Sequence, residues 1–406
     1  MNKRIIVIGG GAAGMIAAGT AAERGINTVL IEQNRILGKK LMITGKGRCN
    51  ITNACEDVET LLKNVVRNRR FLYSAFYGFD NMQTIDFFER LGVPIKVERG
   101  ERVFPQSDKS ADVTAALRRY LIDNNVEIIH DRVDDVCCDE GRVTGVECKG
   151  RGFMRADSVI IATGGISYPV TGSTGDGYTF AENLGHTITP LRPSLVPLTV
   201  EEDLSEVQGL SLKNVAITVK DSRNKTIYKD FGEMMFAHFG LTGPIILSAS
   251  AFMDKPEQCK IHLDLKPALS EKQLDERILR DFSKNMNRDF INGLDGLLPK
   301  ALIPVIVRLS DIPPHKKINS VTAAERKRLT ELIKNIEFNV TGFCPPEQAI
   351  ITSGGVSVKE INPSTMESKL IDGLFFAGEV IDVDALTGGF NLQIAFSTGR
   401  LAGLSC

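Results

Sequence analysis

The N-terminal segment carries the pattern that most limits how this chain can fold. An apolar, β-branched run (residues 4–8, RIIVI) leads into Gly9, Gly11 and Gly14 at G-x-G-x-x-G spacing. A helix-like stretch follows, and a second apolar run then ends at Glu32. A buried strand, a glycine turn, a helix, a strand and an acid within about thirty residues are typical of the dinucleotide-binding unit of a parallel α/β sheet.

The residues of this turn have separate physical purposes in such a unit. Gly9 permits the tight turn, and Gly11 lets the backbone approach a pyrophosphate without a Cβ in the way. Gly14 and Ala13 let the helix lie close to the sheet, while the helix N-terminus presents N–H groups and partial positive charge to phosphates. Glu32 is predicted to accept hydrogen bonds from both hydroxyls of the adenosine ribose.

The segment after Glu32 favours an anionic ligand. Residues 33–55 contain five basic side chains and no acidic one. Within this segment, residues 44–50 (TGKGRCN) form a small, flexible, cationic loop that could wrap a phosphate or the edge of a flavin. A solvated basic loop is the alternative interpretation.

Cys49 and Cys55 pose a choice between redox chemistry and packing. Flavin disulfide reductases carry a redox pair at C-x4-C spacing near this point, whereas the spacing here is C-x5-C. Because one extra position at a helix start turns a side chain by about 100°, we favour packed or loop thiols over a redox disulfide. None of the eight cysteines forms a C-x-x-C pair, so no metal site is predicted. Their scatter indicates reduced thiols in a cytoplasmic protein, and no apolar run is long enough to predict a membrane span.

The rest of the N-terminal half distinguishes between two classes of cofactor. After a predicted helix at Ala111–Asn124, short strands are expected at Val126–His130, Val133–Cys138, Arg142–Lys149 and Val159–Ala162. A meander of strands in this place is typical of FAD-binding Rossmann domains of the glutathione-reductase type and not of NAD dehydrogenases. The backbone of Val133 is expected to meet the adenine. Ala162, Thr163 and Gly164 follow a buried strand and are expected near the flavin.

A second glycine-led element stands near the C-terminus. Residues 373–377 (GLFFA) indicate a buried strand that ends at Gly378 and Glu379, and Gly389 opens a predicted helix. Such a helix N-terminus suits the electron-rich N1–C2=O edge of a reduced flavin, which carries negative charge. An acid at Glu379 or Asp382 is expected to meet the ribityl chain.

The composition changes between about residue 195 and residue 344. Strand-like segments there precede amphipathic helices predicted at Glu271–Asn285, Leu294–Leu309 and Ala323–Ile336. We therefore expect an α/β fold with a discontinuous FAD-binding Rossmann domain. The predicted boundaries are residues 1–193 and 346–406 for this domain, 194–268 and 337–345 for a β-barrel-like insert, and 269–336 for a helical insert.

Five segments of the sequence are similar to one known family. GKKLMITGKGRCNITN (38–53), ATGGISYPVTGSTGDGY (162–178), HFGLTGP (238–244), TSGGVSVKEINPSTMESK (352–369) and residues 373–403 resemble the BaiN/RdsA-type flavoproteins. The resemblance implies FAD binding in a three-part protein, with reduction of bile-acid-type dienones or synthesis of dihydrouridine in ribosomal RNA as the activity. From the residue patterns and the resemblance together, the predicted cofactor-binding residues are Gly9, Gly11, Ala13, Gly14, Glu32, Gln33, Lys40, Gly47, Arg48, Cys49, Asn50, Val133, Ala162, Thr163, Gly164, Gly378, Glu379, Asp382, Gly389, Phe390, Asn391 and Leu392.

Both implied activities reduce a carbon–carbon double bond conjugated to a carbonyl, a reaction in which a flavin supplies hydride and a protein acid supplies a proton. Tyr168 and His238, each in a glycine-flanked segment of the family, are the candidate acids. A hydrogen-bonded structural role is the alternative for each. No second strand–GxGxxG–helix unit is present, so NADH or NADPH is expected as a transient donor that leaves before the substrate enters.

The net charge bears on the choice of partner. The chain has 49 basic and 50 acidic residues, a formal charge of −1, so nucleic acid would need a local basic patch, and no DNA partner is expected. The candidate patches are Lys63, Arg67, Arg69 and Arg70, and in the helical insert Lys316, Lys317, Arg326, Lys327 and Arg328. We favour a small-molecule conjugated carbonyl as substrate. Ribosomal RNA is the first alternative, and a non-enzymatic flavin-binding redox sensor is the second.

Overall fold

The chain divides into two units in the computed structural model, which describes residues 3–406. The first unit comprises the described chain up to Ser194 together with Pro346–Cys406, and the second comprises Leu195–Pro345. The first unit is therefore discontinuous in sequence. The residue boundaries predicted for a β part and a helical part of the inserted segment stay predictions.

The helices and strands follow one another along the chain without long irregular segments. The first unit begins with β1 (Arg4–Ile8), α1 (Ala12–Glu23), β2 (Asn27–Glu32), α2 (Lys39–Ile43), β3 (Thr52–Asn53), α3 (Val58–Lys63), α4 (Tyr73–Gly78), α5 (Asn81–Arg90), β4 (Ile95–Glu98), β5 (Arg102–Pro105), α6 (Ser110–Asp123), β6 (Glu127–His130), β7 (Val133–Asp139), β8 (Arg142–Cys148), β9 (Gly152–Arg155), β10 (Ser158–Ile161), α7 (Asp176–Asn183) and β11 (Arg192–Ser194). The second unit contains β12 (Leu198–Val200), β13 (Ser211–Lys220), β14 (Thr226–Ala237), β15 (Gly240–Thr242), α8 (Pro244–Ser250), β16 (Lys260–Asp264), α9 (Glu271–Ser283), α10 (Ile303–Leu309), α11 (Ala323–Lys334) and β17 (Ile336–Phe343). The first unit resumes with β18 (Ile351–Ser353), β19 (Leu374–Phe376) and α12 (Phe390–Ser405).

A parallel five-stranded sheet forms the centre of the first unit, in the order β19-β10-β1-β2-β6. The inner strands are buried on both faces, which explains their unbroken apolar runs. Since the carboxyl ends of parallel strands share one edge of a sheet, the segments after β1, β2, β10 and β19 all begin at that edge. The glycine turn (residues 9–14), Glu32, Ala162 and Gly378 stand in these segments.

Two further features of the first unit agree with the prediction. Strands β7, β8 and β9 form the antiparallel meander between α6 and β10, with β9 as a third strand that the sequence pattern did not show. The long C-terminal helix α12 packs along α1, the helix that follows the glycine turn. The α/β class with a parallel sheet and a meander is thereby confirmed.

The contact between α1 and α12 is a contact of backbones. A Cβ added to Gly399 would lie 2.4 Å from the Ala13 carbonyl oxygen, and one added to Gly403 would lie 2.5 Å from that of Ala17. Both contacts advance by four residues in the same sense along each helix, so the two helices run parallel. α12 begins nine residues before Gly399 and α1 one residue before Ala13. At 1.5 Å rise per residue, the N-terminus of α12 lies roughly 12 Å beyond that of α1 along their shared direction.

The second unit contains a closed barrel of six strands, in the order β12-β15-β14-β13-β16-β17. Helices α9 and α11 begin at the predicted positions, but the helix predicted over Leu294–Leu309 is wrong. In the structure only a short 3-10 turn (Lys300–Leu302) and α10 are helical there. Pro299 provides the physical reason, because the residue before a proline disfavours the α conformation.

Candidate functional site

The glycine turn after β1 is shaped by contacts that exclude side chains at two positions and leave space at a third. Gly9 has φ of +103°, and a Cβ there would lie 2.6 Å from the Ala162 carbonyl oxygen. A Cβ on Gly14 would lie 1.8 Å from the carbonyl oxygen of Gly9. A Cβ on Gly11 would have no heavy atom within 4 Å. The open side of the turn is therefore at Gly11, the residue predicted to face a pyrophosphate.

Glu32 ends β2 with its carboxylate held beside the glycine turn. Its Oε2 accepts a hydrogen bond from the Gly10 N–H at 2.7 Å, and its Oε1 accepts from the Asn34 N–H at 2.8 Å and the Asn34 amide at 2.7 Å. All three donors are uncharged, so the carboxylate keeps its charge and can accept further bonds from ribose hydroxyls. The neighbouring Gln33 donates its side-chain amide to the Gly172 carbonyl instead.

The N-terminus of α12 is the second glycine-led element. Gly389 has φ of +100°, and a Cβ there would lie 2.4 Å from the backbone of Thr52. The first N–H groups of α12, those of Phe390, Asn391 and Leu392, have no intrahelical acceptor. The Asn391 side chain bonds the N–H and carbonyl of Ala385, so this predicted residue offers its backbone and not its amide to a ligand.

Two buried acceptor atoms among the predicted cofactor residues have no hydrogen-bond partner within residues 3–406. They are Oγ1 of Thr163 and Oδ1 of Asn50. A buried polar atom without a partner is costly, and a bound ligand with hydrogen-bond donors would remove that cost. Gly11 and Gly47, where an added Cβ would meet no atom within 4 Å, leave space for such a ligand. On these observations the residues present fit a dinucleotide cofactor.

The basic loop of residues 44–50 differs from its predicted role at Arg48. Its backbone is left-handed at Gly45, Lys46, Gly47 and Cys49. The Arg48 guanidinium lies 4.1 Å from the ring centroid of Phe104 and bonds two carboxylates, and hydrogen bonds from Glu98 and Asp108 raise its pKa. The charge of Arg48 is thus directed toward the β4–β5 strands and away from a phosphate.

The cysteines of this region are packed thiols in the structure. All eight cysteines of the chain lie within the described residues and carry free thiols. Burial raises the pKa of Cys49 to about 12 and that of Cys55 to about 11. A thiol with such a pKa stays protonated near neutral pH and is a poor nucleophile.

Lys40 and Glu379, both predicted to bind the cofactor, are ion-paired with each other. Lys40 Nζ lies 2.7 Å from Oε2 of Glu379. The other carboxylate oxygen accepts from the Ser167 hydroxyl at 2.9 Å and from the Thr352 N–H at 2.8 Å. Ser167 and Thr352 were not predicted, because they are far from Glu379 in sequence and carry no pattern of their own.

The segment before α12 contains two buried acids, of which the sequence indicated one. Asp382 lies 3.1 Å from Nε of Arg67. Asp384 was not predicted, and it accepts hydrogen bonds from Ser353 at 3.1 Å and Ser194 at 3.3 Å. Burial raises the pKa of Asp384 to about 6, although the serine hydroxyls and nearby arginines act in the opposite direction. The alternation D-V-D offered a signal for it, since residues two apart in an extended segment face the same side.

The remaining predicted residues lie in separate places. Val133 is buried at the start of β7, where it pairs with Cys148. Tyr168 lies in the first unit, half-buried and left-handed with φ of +50°, directly before a short 3-10 helix (Pro169–Thr171). His238 lies in the second unit, exposed in the two-residue turn between β14 and β15. The structure therefore places Tyr168 in the same unit as the predicted cofactor residues and His238 in the other.

Two searches of residues 3–406 gave no result. No group of three or more His, Cys, Asp and Glu side chains in this range could hold a metal ion. The same part of the chain has no helix with the length and apolar character needed to cross a membrane.

Comparisons with known proteins give a consistent picture. A family model described as the HI0933-like protein Rossmann domain matches residues 3–405. A 3-dehydro-bile acid delta(4,6)-reductase from Clostridium scindens is 30% identical over 99% of this chain and 98% of its own length. A ribosomal RNA dihydrouridine synthase from Escherichia coli is 30% identical over 97% of this chain and 95% of its own length. Among solved structures, a 3-ketosteroid delta1-dehydrogenase from Sterolibacterium denitrificans shares the fold, with a TM-score of 0.54, 13% identity, and coverage of 100% of this chain and 99% of that one.

Proposed function

Because this chain belongs to the HI0933-like family of Rossmann proteins, we propose that it is an FAD-dependent oxidoreductase that reduces a carbon–carbon double bond conjugated to a carbonyl. NADH or NADPH is the proposed electron donor. A small-molecule enone, such as a bile-acid-type dienone, is the proposed substrate. The observation that carries the proposal is the arrangement of two glycine-led helix N-termini at one sheet edge.

The spacing of these two N-termini suits an extended FAD. The start of α1 offers N–H groups to a pyrophosphate beside Gly11, and the start of α12 lies roughly 12 Å further on. Partial positive charge at that second position would stabilise negative charge on a reduced flavin. A cofactor that ended at the pyrophosphate would not require the close passage of Gly389 past Thr52. The presence of both elements therefore supports FAD over NAD as the resident cofactor.

The residues of the site have distinct proposed roles. The bound FAD would supply hydride to the substrate. Glu32 would accept hydrogen bonds from the ribose, and the backbone at Gly11 would lie against the pyrophosphate. Asn50 and Thr163 would accept hydrogen bonds at the atoms that have no partner in the protein. The Lys40–Glu379 pair would hold the segment after β19 in place beside the ribityl chain.

The substrate class comes from the chemistry that two relatives share. One is named as a reductase of a 3-dehydro-bile acid, and the other as a dihydrouridine synthase. Dihydrouridine differs from uridine by saturation of a ring double bond next to a carbonyl, so both names describe reduction of a conjugated carbonyl. A protein acid must then protonate the carbon next to the carbonyl. Tyr168 is the first candidate because it lies in the unit with the cofactor residues, and His238 is the second.

Ribosomal RNA is the second candidate substrate, supported by one surface of the first unit. Lys63, Arg69 and Arg70 are exposed and form no ion pair of 4 Å or less within the described chain. The basic residues of the inserted segment are different, because Lys316, Lys317, Arg326 and Lys327 each lie within 4 Å of a carboxylate. Only the first group has uncompensated charge for phosphates. If RNA binds there, its affinity will fall steeply with salt, and replacing the three cations with alanine will reduce the slope.

One anaerobic experiment separates these functions. The purified protein is reduced with NADH or NADPH, and an enone or ribosomal RNA is then added while the flavin absorbance is followed. Rapid return of the oxidised spectrum with the enone supports the proposal, and return with RNA alone supports the second candidate. Bound FAD that neither nucleotide reduces at a useful rate would indicate a redox sensor. A colourless protein with no change of Tm on addition of FAD would contradict the whole proposal.

A comparison of two variants tests the proton donor. We expect Tyr168→Phe to slow the return of the oxidised spectrum with enone while leaving the reduction by NADH or NADPH unchanged. His238→Asn provides the matched comparison in the other unit. An unchanged rate in Tyr168→Phe and a reduced rate in His238→Asn would reverse the two assignments.

A further inference from the structure

Asn34, which the sequence patterns did not single out, bonds the proposed ribose-binding carboxylate twice. Both its backbone N–H and its side-chain amide donate to Oε1 of Glu32, at 2.8 Å and 2.7 Å. Its backbone carbonyl lies 2.7 Å from Nδ1 of His130, which ends β6 beside β2. Asn34 is therefore fixed to the sheet edge and in turn fixes the direction of the Glu32 carboxylate.

The same side chain also contacts a segment more than a hundred residues away. We name residues 167–172 the strap. The Asn34 amide donates to the Thr171 carbonyl at 3.1 Å, while Gln33 donates to the Gly172 carbonyl at 2.9 Å and Lys39 to the Val170 carbonyl at 2.5 Å. Three successive carbonyls of the strap thus accept hydrogen bonds from the segment that follows Glu32.

The strap has the backbone of a segment that is closed by specific contacts. Gly164, Gly172 and Gly175 have positive φ, and Tyr168 does as well. A Cβ on Gly172 would lie 2.4 Å from the Asn34 amide nitrogen, so the approach of the strap to Asn34 requires glycine. At its other end, Ser167 bonds Lys40 and Glu379 at 2.7 Å and 2.9 Å. The strap is therefore tied at both ends to residues predicted to line the cofactor.

We propose that Asn34 is a positioning residue that aims the Glu32 carboxylate at the adenosine ribose and couples it to the strap. The inference rests on the proposed function, since it requires FAD in the site. Its consequence is that the hold on the adenosine half of FAD depends on the strap staying in place. Loss of the Asn34 amide removes one hydrogen bond to a largely buried carboxylate and one to the strap.

The rate of FAD release from the purified holoprotein tests this proposal. We expect Asn34→Ala to accelerate release about tenfold or more, because hydrogen bonds to charged groups are the stronger ones. Asn34→Asp should accelerate it further, since it places a second carboxylate beside Glu32. Gln33→Ala and Lys39→Ala remove contacts with the strap and leave the bonds to Glu32 intact, so each should give a smaller acceleration.

The chain provides a matched control in its second unit. Asn339 donates its backbone N–H and its side-chain amide to Oε1 of Glu202, both at 2.9 Å, as Asn34 does to Glu32. Asn339→Ala should lower the Tm by an amount similar to Asn34→Ala but leave FAD release unchanged. If the two variants released FAD at the same rate, the proposal would be overturned.

A comparison of flavins separates positioning from general damage to the site. FMN lacks the adenosine half of FAD, so its release from FMN-loaded protein should not change in Asn34→Ala. Equal acceleration for FAD and FMN would show that Asn34 is only structural and would refute the proposal. A wild-type protein that binds no flavin would instead refute the proposed function, and a yellow wild type with unchanged release in Asn34→Ala would refute only this inference.

Discussion

Gly11 and Gly14 stand three residues apart in one turn, but the structure gives them different constraints. Gly11 has φ of −80° and open space around it, so Gly11→Ala should leave the Tm of the flavin-free protein unchanged. The added methyl group would lie where a pyrophosphate must approach, so FAD affinity should fall by at least tenfold. Gly14→Ala should lower both the Tm and the affinity, because its Cβ would overlap the Gly9 carbonyl. Thermal unfolding without flavin and FAD titration together check this pair, and a destabilised Gly11→Ala protein would contradict the assignment.

Asp384 should make the stability of the protein depend on pH in a known direction. Burial raises its pKa from 3.8 to about 6 in the folded protein, so the folded state binds the proton more tightly than the unfolded state does. The free energy of unfolding should therefore fall as pH rises from about 4 to about 6 and stay level above that range. The change in pKa corresponds to roughly 3 kcal/mol. Asp384→Asn should lose this dependence in urea unfolding measured between pH 4 and pH 8, and an identical pH profile in the variant would contradict the prediction.

At the scale of single residues, the sequence predicted the site where the signal was local. Glu32 was predictable because it ends an apolar strand at a fixed distance from the glycine turn. Asn34 was not, since its second contact, Thr171, lies 137 residues away. Arg48 shows the opposite error, because its charge suggested a phosphate contact, whereas Glu98 and Asp108 accept its hydrogen bonds in the structure.

At the scale of elements, the packing of α12 on α1 should control cofactor binding. The two backbones meet at Gly399, so Gly399→Ala must push the helices apart and move the N-terminus of α12 away from that of α1. We expect a loss of about 1–3 kcal/mol in the free energy of unfolding and a weaker affinity for FAD. Gly78→Ala in α4 is the control, because a Cβ there meets no atom within 4 Å and should change stability by less than about 1 kcal/mol. Equal effects in the two variants would show that the helix contact is not tight.

Elements were predictable where one signal covered the whole segment. The strands of the parallel sheet are apolar along their length because both faces are buried, and the helix start at α9 has a capping box at Ser270 and Gln273. The segment 294–309 misled because its apolar spacing fits a helix, while the effect of Pro299 on the preceding residue acts against one. The alternating strand β14 (Thr226–Ala237) was not predicted, because its polar positions are as frequent as its apolar ones.

At the scale of the whole molecule, the two units differ in what their sheets can bind. The first unit contains a parallel sheet with one glycine turn and an acid at the end of the neighbouring strand. The sheet of the second unit closes into a barrel of antiparallel pairs, which has no parallel edge where a helix N-terminus could receive a pyrophosphate. Within residues 3–406, therefore, no second Rossmann unit is available for NADH or NADPH.

This limit on nucleotide sites predicts the kinetic order of the reaction. With the resident FAD in the only Rossmann site of the described chain, the nicotinamide must reach the flavin from the side that the substrate uses. It should reduce the flavin and leave before the substrate enters, which is a ping-pong sequence. Initial rates with both substrates varied should give parallel double-reciprocal lines, and oxidised nicotinamide should compete with the enone for the reduced protein. Intersecting lines would mean that both molecules are bound together, and the donor would then need a separate site.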